Sequence, residues 1–177
     1  MKERILLTGA SGFIGKELAR VLSDLDYNYF PLSSRLTQDK GFVFCDLSMP
    51  NQVIEILIKY QPTIIINLSA IVNFERNILS DIYSLNILCP SILAEYCRKK
   101  NRYLIQISSI AVNDLKRNII GEDTLLEPNN DYGKSKLLAE NMIKASRCNS
   151  AILRLGGVFG KNINNHLGIN KAIRNAL

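Results

Sequence analysis

The chain has 177 residues, of which 47% are hydrophobic and 21% charged, a mixture that suits one globular domain over residues 1–177. This composition excludes a disordered chain, a collagen-like repeat and a small fold held by disulfides. No apolar run reaches the ~18 residues of a membrane span, and the run at 5–7 is too short for a secretory signal. We therefore expect a cytosolic protein without membrane contact.

The charged and metal-ligating residues exclude further classes. The net charge is +6, but the densest basic run, at 98–102, ends a predicted helix, where cations complement the helix dipole. Because no aromatic residues interleave with these cations, we expect no nucleic-acid partner. The four cysteines form no Cys-x-x-Cys pair and His166 is the only histidine, so we predict no metal site and no histidine-based catalytic triad.

The apolar segments alternate between short runs typical of strands and longer runs at helical spacing. We predict strands at 4–8, 27–32, 42–45, 63–68, 103–107 and 151–155. We predict helices at 14–25, 50–58, 81–100 and 131–146. Alternation of this kind predicts an α/β fold with a doubly wound parallel sheet of six strands, in which ligands bind at the carboxyl ends of the strands.

A glycine-rich turn follows the first predicted strand and opens the first predicted helix. Gly9, Gly12 and Gly15 are spaced Gly-x-x-Gly-x-x-Gly. Such glycines permit a tight turn, close approach of the backbone to a pyrophosphate, and close packing of the helix on the strand. The position between a strand and a helix indicates a dinucleotide-binding turn.

The end of the second predicted strand bears on the choice of cofactor. Enzymes that prefer NAD carry an acidic residue there for the ribose hydroxyl, whereas those that prefer NADP place an arginine nearby. This chain has no acid at the position but has Ser33 and Arg35, which could bind a 2′-phosphate. We expect NADP, with NAD as the alternative if Arg35 is a surface residue.

Tyrosine and lysine side chains at i and i+4 indicate proton-transfer chemistry. Tyr132 and Lys136 share one face of a predicted helix. A nearby ammonium is expected to lower the pKa of the phenol, which can then exchange a proton while a nicotinamide exchanges a hydride. Ser108 and Ser109 end the fifth predicted strand, where a hydroxyl can hydrogen-bond the reacting oxygen.

With these motifs in order, the chain resembles the N-terminal part of the extended short-chain dehydrogenases/reductases, a group of nucleotide-sugar epimerases, dehydratases and reductases. Within that group it is most similar to dTDP-4-dehydrorhamnose reductases. Besides the glycine turn, the segments that carry the resemblance are 46–50, 62–67, Asn86, 132–137 and 152–154.

The resemblance implies roles for individual residues. Tyr132 would be the acid/base, Lys136 would bind the nicotinamide ribose and tune the tyrosine, and Ser109 would complete the triad. Asn86 would hold the lysine through its backbone and a water molecule. The other residues implied to border the cofactor are Ser11, Phe13 and Ile14 in the glycine turn, Asp46 and Leu47 near the adenine, and Ser69, Ala70 and Val72 on the path to the nicotinamide.

The chain also departs from the family pattern. Rhamnose-type reductases place an acid directly after the catalytic hydroxyl residue, whereas this chain has Ile110. Family members also continue well beyond residue 177, and that further portion supplies most of the sugar-nucleotide pocket. We therefore expect the 177-residue chain to bind the dinucleotide without turning over a sugar.

Three functions remain open from the sequence. The first is an NAD(P)-dependent oxidoreductase or epimerase that acts on a nucleotide-linked sugar. The second is a non-catalytic dinucleotide-binding module that lacks a complete substrate pocket. The third is a subunit that binds a partner through its surface helices, since related folds often form homodimers through the helices that span 81–100 and 131–146 here.

Overall fold

A computed structural model describes most of the first 159 residues of the chain. The described residues are 3–34, 41–72, 74, 77–114, 121 and 124–159.

Six strands form one parallel sheet in the order β3-β2-β1-β4-β5-β6. The chain starts in the middle of the sheet and builds outward in one direction, then returns to β1 and builds in the other. The predicted doubly wound α/β fold is confirmed, and the strand order reverses between β1 and β4. The strands are β1 (Ile5–Thr8), β2 (Tyr29–Ser33), β3 (Val43–Phe44), β4 (Ile64–Asn67), β5 (Tyr103–Ser109) and β6 (Asn149–Leu155).

Helices connect the strands. They are α1 (Phe13–Asp24), α2 (Pro50–Tyr60), α3 (Leu79–Tyr83), α4 (Cys89–Lys100) and α5 (Asp131–Ser146). Pro50 occupies the first turn of α2, as predicted, and the Asn130 side chain caps α5 by accepting the backbone N–H of Gly133 at 2.7 Å. None of these helices is long and apolar enough to cross a membrane in the described part of the chain.

The predicted helix at 81–100 is divided into three parts. Between α3 and α4 lies a π-helical turn, Ser84–Leu88, in which the N–H of Cys89 bonds the carbonyl of Ser84. Pro90 stands in the first turn of α4 and has no N–H to offer the carbonyl four residues earlier, that of Asn86. The α-helical ladder is therefore interrupted at Asn86, a break that is common at functional sites.

The two faces of the sheet have separate cores. Leu6 and Ile65 lie in the core covered by α2, α4 and α5, whereas Ile5 and Leu7 lie in the core under α1. This alternation follows from the two-residue period of a strand. The carboxyl ends of β1, β4 and β5 meet at one edge, so the loops that follow them lie together.

Candidate functional site

The glycine turn packs α1 closely against the end of β1. Gly9 has φ +64°, in the left-handed region. A Cβ on Gly15 would lie 2.1 Å from the Gly9 carbonyl oxygen and 2.7 Å from the Ala10 Cα. Gly12 caps α1 without any side-chain hydrogen bond, and the first turn of α1 has no acidic residue. The N–H groups at this helix end can therefore receive a pyrophosphate, so the turn fits the dinucleotide that the sequence predicts.

The predicted adenine side of the site is built from the ends of β2 and β3. Ser33 is buried at the end of β2, and its hydroxyl donates to the Ser11 hydroxyl oxygen at 3.2 Å, which places both beside the glycine turn. Asp46 accepts the backbone N–H and the hydroxyl of Ser48 at 3.0 and 2.7 Å, so its carboxylate shapes the turn before α2. Leu47 packs in the core. Arg35, the predicted partner of a 2′-phosphate, lies outside the described residues.

Asn86 holds the loop that follows β4. Its side chain accepts the Ile71 N–H at 2.8 Å, and its amide donates to the Ile71 carbonyl at 2.9 Å and to the Ser135 hydroxyl at 3.1 Å. The loop that contains Ser69, Ala70 and Val72 is thereby tied to α5 beside Lys136. The side chain of Asn86 therefore binds this loop. The predicted role was to hold Lys136 through the Asn86 backbone and a water molecule.

Tyr132 and Ser109 come together at the carboxyl end of β5. The Ser109 hydroxyl lies close enough to the Tyr132 phenol to act on its pKa, and Ser109 Oγ accepts the Ala111 N–H at 3.1 Å. Burial raises the pKa of Tyr132 above its usual value, and the nearby Ser109 hydroxyl opposes this only in part. The expectation that Lys136 lowers this pKa is therefore wrong for this structure, in which desolvation dominates. Tyr132 is a protonated phenol at neutral pH.

Lys136 lies one turn after Tyr132 and is 3% exposed. Its ammonium donates to the Ile107 carbonyl at 2.7 Å. Burial lowers the pKa of Lys136 to about 8, although the charge of Glu140 acts in the opposite direction. The lysine therefore remains largely charged at neutral pH with two N–H donors left for a ligand.

Glu140 is a site residue that the sequence analysis missed. Its carboxylate is fully buried, accepts both donors of the Arg154 fork at 2.9 and 2.7 Å, and accepts the Ser108 hydroxyl at 2.6 Å. Burial raises the pKa of Glu140, but Arg154 and Ser108 outweigh it, and the pKa lies below its usual value. The sequence signal for Glu140 was its spacing, because Tyr132, Lys136 and Glu140 stand at i, i+4 and i+8 and share one face of the helix.

We expect Lys136→Met to stabilise the chain at neutral pH. Since burial holds the pKa of Lys136 near 8 rather than 10.5, the unfolded chain binds more protons between these values, and the cost of burying the charge fades as the pH rises through that window. The stabilisation, up to about 3 kcal/mol below pH 8, should shrink toward pH 10.5.

Chemical denaturation of the variant and the wild type at matched pH gives the difference in their free energies of unfolding. Groups that the two proteins share titrate alike, so their contributions cancel in this difference. Lys134→Met, on the exposed side of the same helix, is the matched control and should show no such trend. A difference between Lys136→Met and the wild type that does not change with pH would contradict the burial argument.

Metal ligation and thiol chemistry are the other possibilities raised by the residue types in the chain. Within the described residues, no group of three or more His, Cys, Asp or Glu side chains could hold a metal ion. Cys45, Cys89, Cys97 and Cys148 are free thiols. Burial raises the pKa of the Cys89 and Cys97 thiols to about 12, so these two are not nucleophiles at neutral pH.

Three comparisons place the chain among known proteins. The dTDP-4-dehydrorhamnose reductase of Aggregatibacter actinomycetemcomitans is 30% identical over 165 residues, which cover 92% of this chain and 54% of that protein. Methionine adenosyltransferase 2 subunit beta of Bos taurus is 27% identical over 89% of this chain and 48% of that protein. The crystal structure of dTDP-4-dehydrorhamnose reductase from Bacillus anthracis in complex with NADP superposes with a TM-score of 0.81 at 28% identity, over 98% of this chain and 59% of that one.

These matches confirm the resemblance to the reductases. The chain spans about half the length of the curated relatives it matches. The sequence model of the RmlD substrate-binding domain matches residues 2–173, nearly the whole chain. The chain therefore belongs to the RmlD substrate-binding domain family.

Proposed function

We propose that this chain forms the dinucleotide-binding and proton-transfer half of an NADP-dependent oxidoreductase or epimerase that acts on a nucleotide-linked sugar. The observation that carries the proposal is the meeting, at one sheet edge, of the glycine turn after β1 with Ser109, Tyr132 and Lys136. The names of the reductase relatives support a nucleotide-linked 4-keto sugar as the substrate.

The side chains divide the work of a carbonyl reduction. When bound, the reduced nicotinamide supplies the hydride that forms the new C–H bond. The Tyr132 phenol donates its proton to the carbonyl oxygen, which becomes the product hydroxyl. Ser109 holds that oxygen, and the ammonium of Lys136 binds the ribose with its two remaining donors. Protonated Tyr132 suits the reductive direction, because the proton to be given is already in place.

The test follows deuterium from the cofactor into the sugar. Because the relatives are about twice as long, the chain is joined to the C-terminal portion of the Aggregatibacter reductase. With 4-deuterated NADPH and nucleotide-linked 4-keto sugars, we expect deuterium at C4 of the product sugar. We expect the 177-residue chain alone to bind NADPH without transfer, since unpositioned substrate loses many powers of ten in rate. A chimera that binds NADPH but labels no sugar would contradict the catalytic proposal.

A second candidate function is a non-catalytic dinucleotide-binding subunit. It is favoured by the similarity to methionine adenosyltransferase 2 subunit beta, which is named as a subunit. The same deuterium experiment separates the two, because a subunit of this kind would bind NADPH and label no sugar.

We also propose that the chain forms a homodimer through α4, α5 and the helical turns before α4. Four large side chains on these elements are 43–49% exposed and line an apolar groove between them: Tyr83, Leu88, Leu138 and Met142. A face of this kind is typical of a protein–protein interface. The helices are those that the sequence analysis assigned to a dimer.

NADPH should bind at least about tenfold more tightly than NADH, because one charge-assisted hydrogen bond contributes roughly 1.5–3 kcal/mol. The basis is the absence of an acid at the end of β2 together with Arg35 and Ser33 in the sequence. Titration of both cofactors, followed by their fluorescence, measures the ratio. Arg35→Ala is the control and should remove the preference. A preference for NADH that survives Arg35→Ala would show that Ser33 and Arg35 do not select NADPH.

A further inference from the structure

Three buried polar side chains form a row across the central strands. Thr8 on β1 pairs in register with Asn67 on β4, and Asn67 pairs with Gln106 on β5. Each of the three is 0% exposed. Buried polar groups cost free energy unless they are hydrogen-bonded, so one hydroxyl and two amides in a sheet core need partners. We call Thr8, Asn67 and Gln106 the polar row.

The side-chain hydrogen bonds of the polar row form a chain from Thr8 to a backbone carbonyl that Lys136 also contacts. The Thr8 hydroxyl donates to Asn67 Oδ1, and Asn67 Nδ2 donates to Gln106 Oε1 at 2.8 Å. Gln106 Nε2 then donates to the Ile107 carbonyl at 2.8 Å. That carbonyl is the same one that accepts the Lys136 ammonium at 2.7 Å. Bonds aligned in one direction polarise one another, so a break at Thr8 weakens the donation of Gln106 to the Ile107 carbonyl. Lys136 donates to the same oxygen and competes with Gln106 for it.

The other end of the polar row reaches the glycine turn and the loop after β4. Thr8 Oγ1 accepts the N–H groups of Leu68 and Ser69 at 3.2 and 3.3 Å, and Asn67 Oδ1 also accepts the Ser69 N–H at 3.3 Å. A Cβ on Gly9 would lie 3.0 Å from the same Ser69 nitrogen, so the turn rests directly on this loop. The polar row thus connects the proposed pyrophosphate turn with the proposed ribose-binding lysine.

We propose that the polar row is a positioning device that couples the glycine turn and the Ser69 loop to the Lys136 ammonium across three strands. The inference rests on the proposed function for its purpose, which is to keep both halves of one dinucleotide site in register. Thr63, a second threonine beside the same strands, provides a comparison with Thr8. Its hydroxyl lies at the opposite end of β4, where it accepts the Arg4 N–H at 2.8 Å and donates to the Arg4 carbonyl at 3.3 Å.

The test breaks the polar row at one end and measures the other end. Thr8→Val removes the hydroxyl with little change of shape, so Gln106 donates more weakly to the Ile107 carbonyl and Lys136 donates more strongly. We expect the acylation rate of Lys136, relative to exposed Lys134, to fall about fivefold, the worth of one net hydrogen bond. Thr8→Ser keeps the hydroxyl and should restore the wild-type ratio. Thr63→Val is the matched control. Even if it lowers the melting temperature as much as Thr8→Val does, the ratio of acylation rates should stay within about twofold of the wild type.

The reciprocal break keeps the inference testable if Thr8→Val does not fold. Gln106→Met removes the amide near Lys136, and we expect the Ser69 amide to exchange with solvent about fivefold faster. Unchanged acylation of Lys136 in folded Thr8→Val, or unchanged exchange of Ser69 in Gln106→Met, would overturn the coupling. Neither readout uses a cofactor, so a wild-type chain that fails to bind NADPH would contradict the proposed function alone.

Discussion

Tyr132→Phe is expected to slow hydride transfer about 10²–10⁴-fold, the usual contribution of a positioned general acid. Burial raises the pKa of the phenol, so Tyr132 carries the proton that the product hydroxyl needs. Phenylalanine keeps the ring and removes only the hydroxyl group. NADPH affinity should stay within about threefold of the wild type, because the phenol hydroxyl adds little to dinucleotide binding.

Single-turnover kinetics in the chimera described above, with NADPH titrations beside them, separate the two quantities. Tyr103→Phe is the control, since Tyr103 lies at the opposite end of β5. A Tyr132→Phe chimera that keeps most of the wild-type rate would show that another group delivers the proton. Equal losses of rate and affinity would show that Tyr132 acts in binding instead.

Gly15→Ala should have the largest effect on cofactor binding. The added Cβ would stand 2.1 Å from the Gly9 carbonyl oxygen, so α1 must move away from β1 and carry its N-terminal N–H groups with it. Overpacking of this kind costs about 3 kcal/mol at the upper end of its usual range, and we expect NADPH affinity to fall about a hundredfold.

Gly41→Ala is the matched control, because no heavy atom of the described residues lies within 4 Å of its added Cβ. Calorimetric titration gives the affinities, and thermal melting shows whether each variant is folded. A folded Gly15→Ala variant with wild-type affinity would mean that the pyrophosphate does not lie at this turn.

The parts of the fold that could be predicted are those with local signals. The glycine spacing marked the turn between β1 and α1, and α5 has the limits predicted from the sequence, 131–146. Alternation of strands and helices was enough for the sheet, because parallel neighbours require crossover connections. β5 and β6 are longer than predicted because they pair with each other over seven residues in register.

The parts that could not be predicted depend on contacts between distant residues. Tyr132 and Lys136 are neighbours on a helix, which suggested that the ammonium controls the phenol. The depth of burial, which decides the pKa instead, is not visible in the sequence. The polar row joins residues 59 and 39 positions apart in the chain, so only the register of β1, β4 and β5 reveals it.

The most direct test of the account asks whether the nicotinamide end of NADPH reaches Tyr132 in this chain. The chain has seven tyrosines, and fluorotyrosine labelling gives each a ¹⁹F signal, with Tyr132 assigned by its absence in Tyr132→Phe. At saturating NADPH the Tyr132 signal should shift while that of Tyr103 stays in place. The adenosine half of the cofactor alone should leave Tyr132 unmoved. An unchanged Tyr132 signal with NADPH bound would contradict the proposed site.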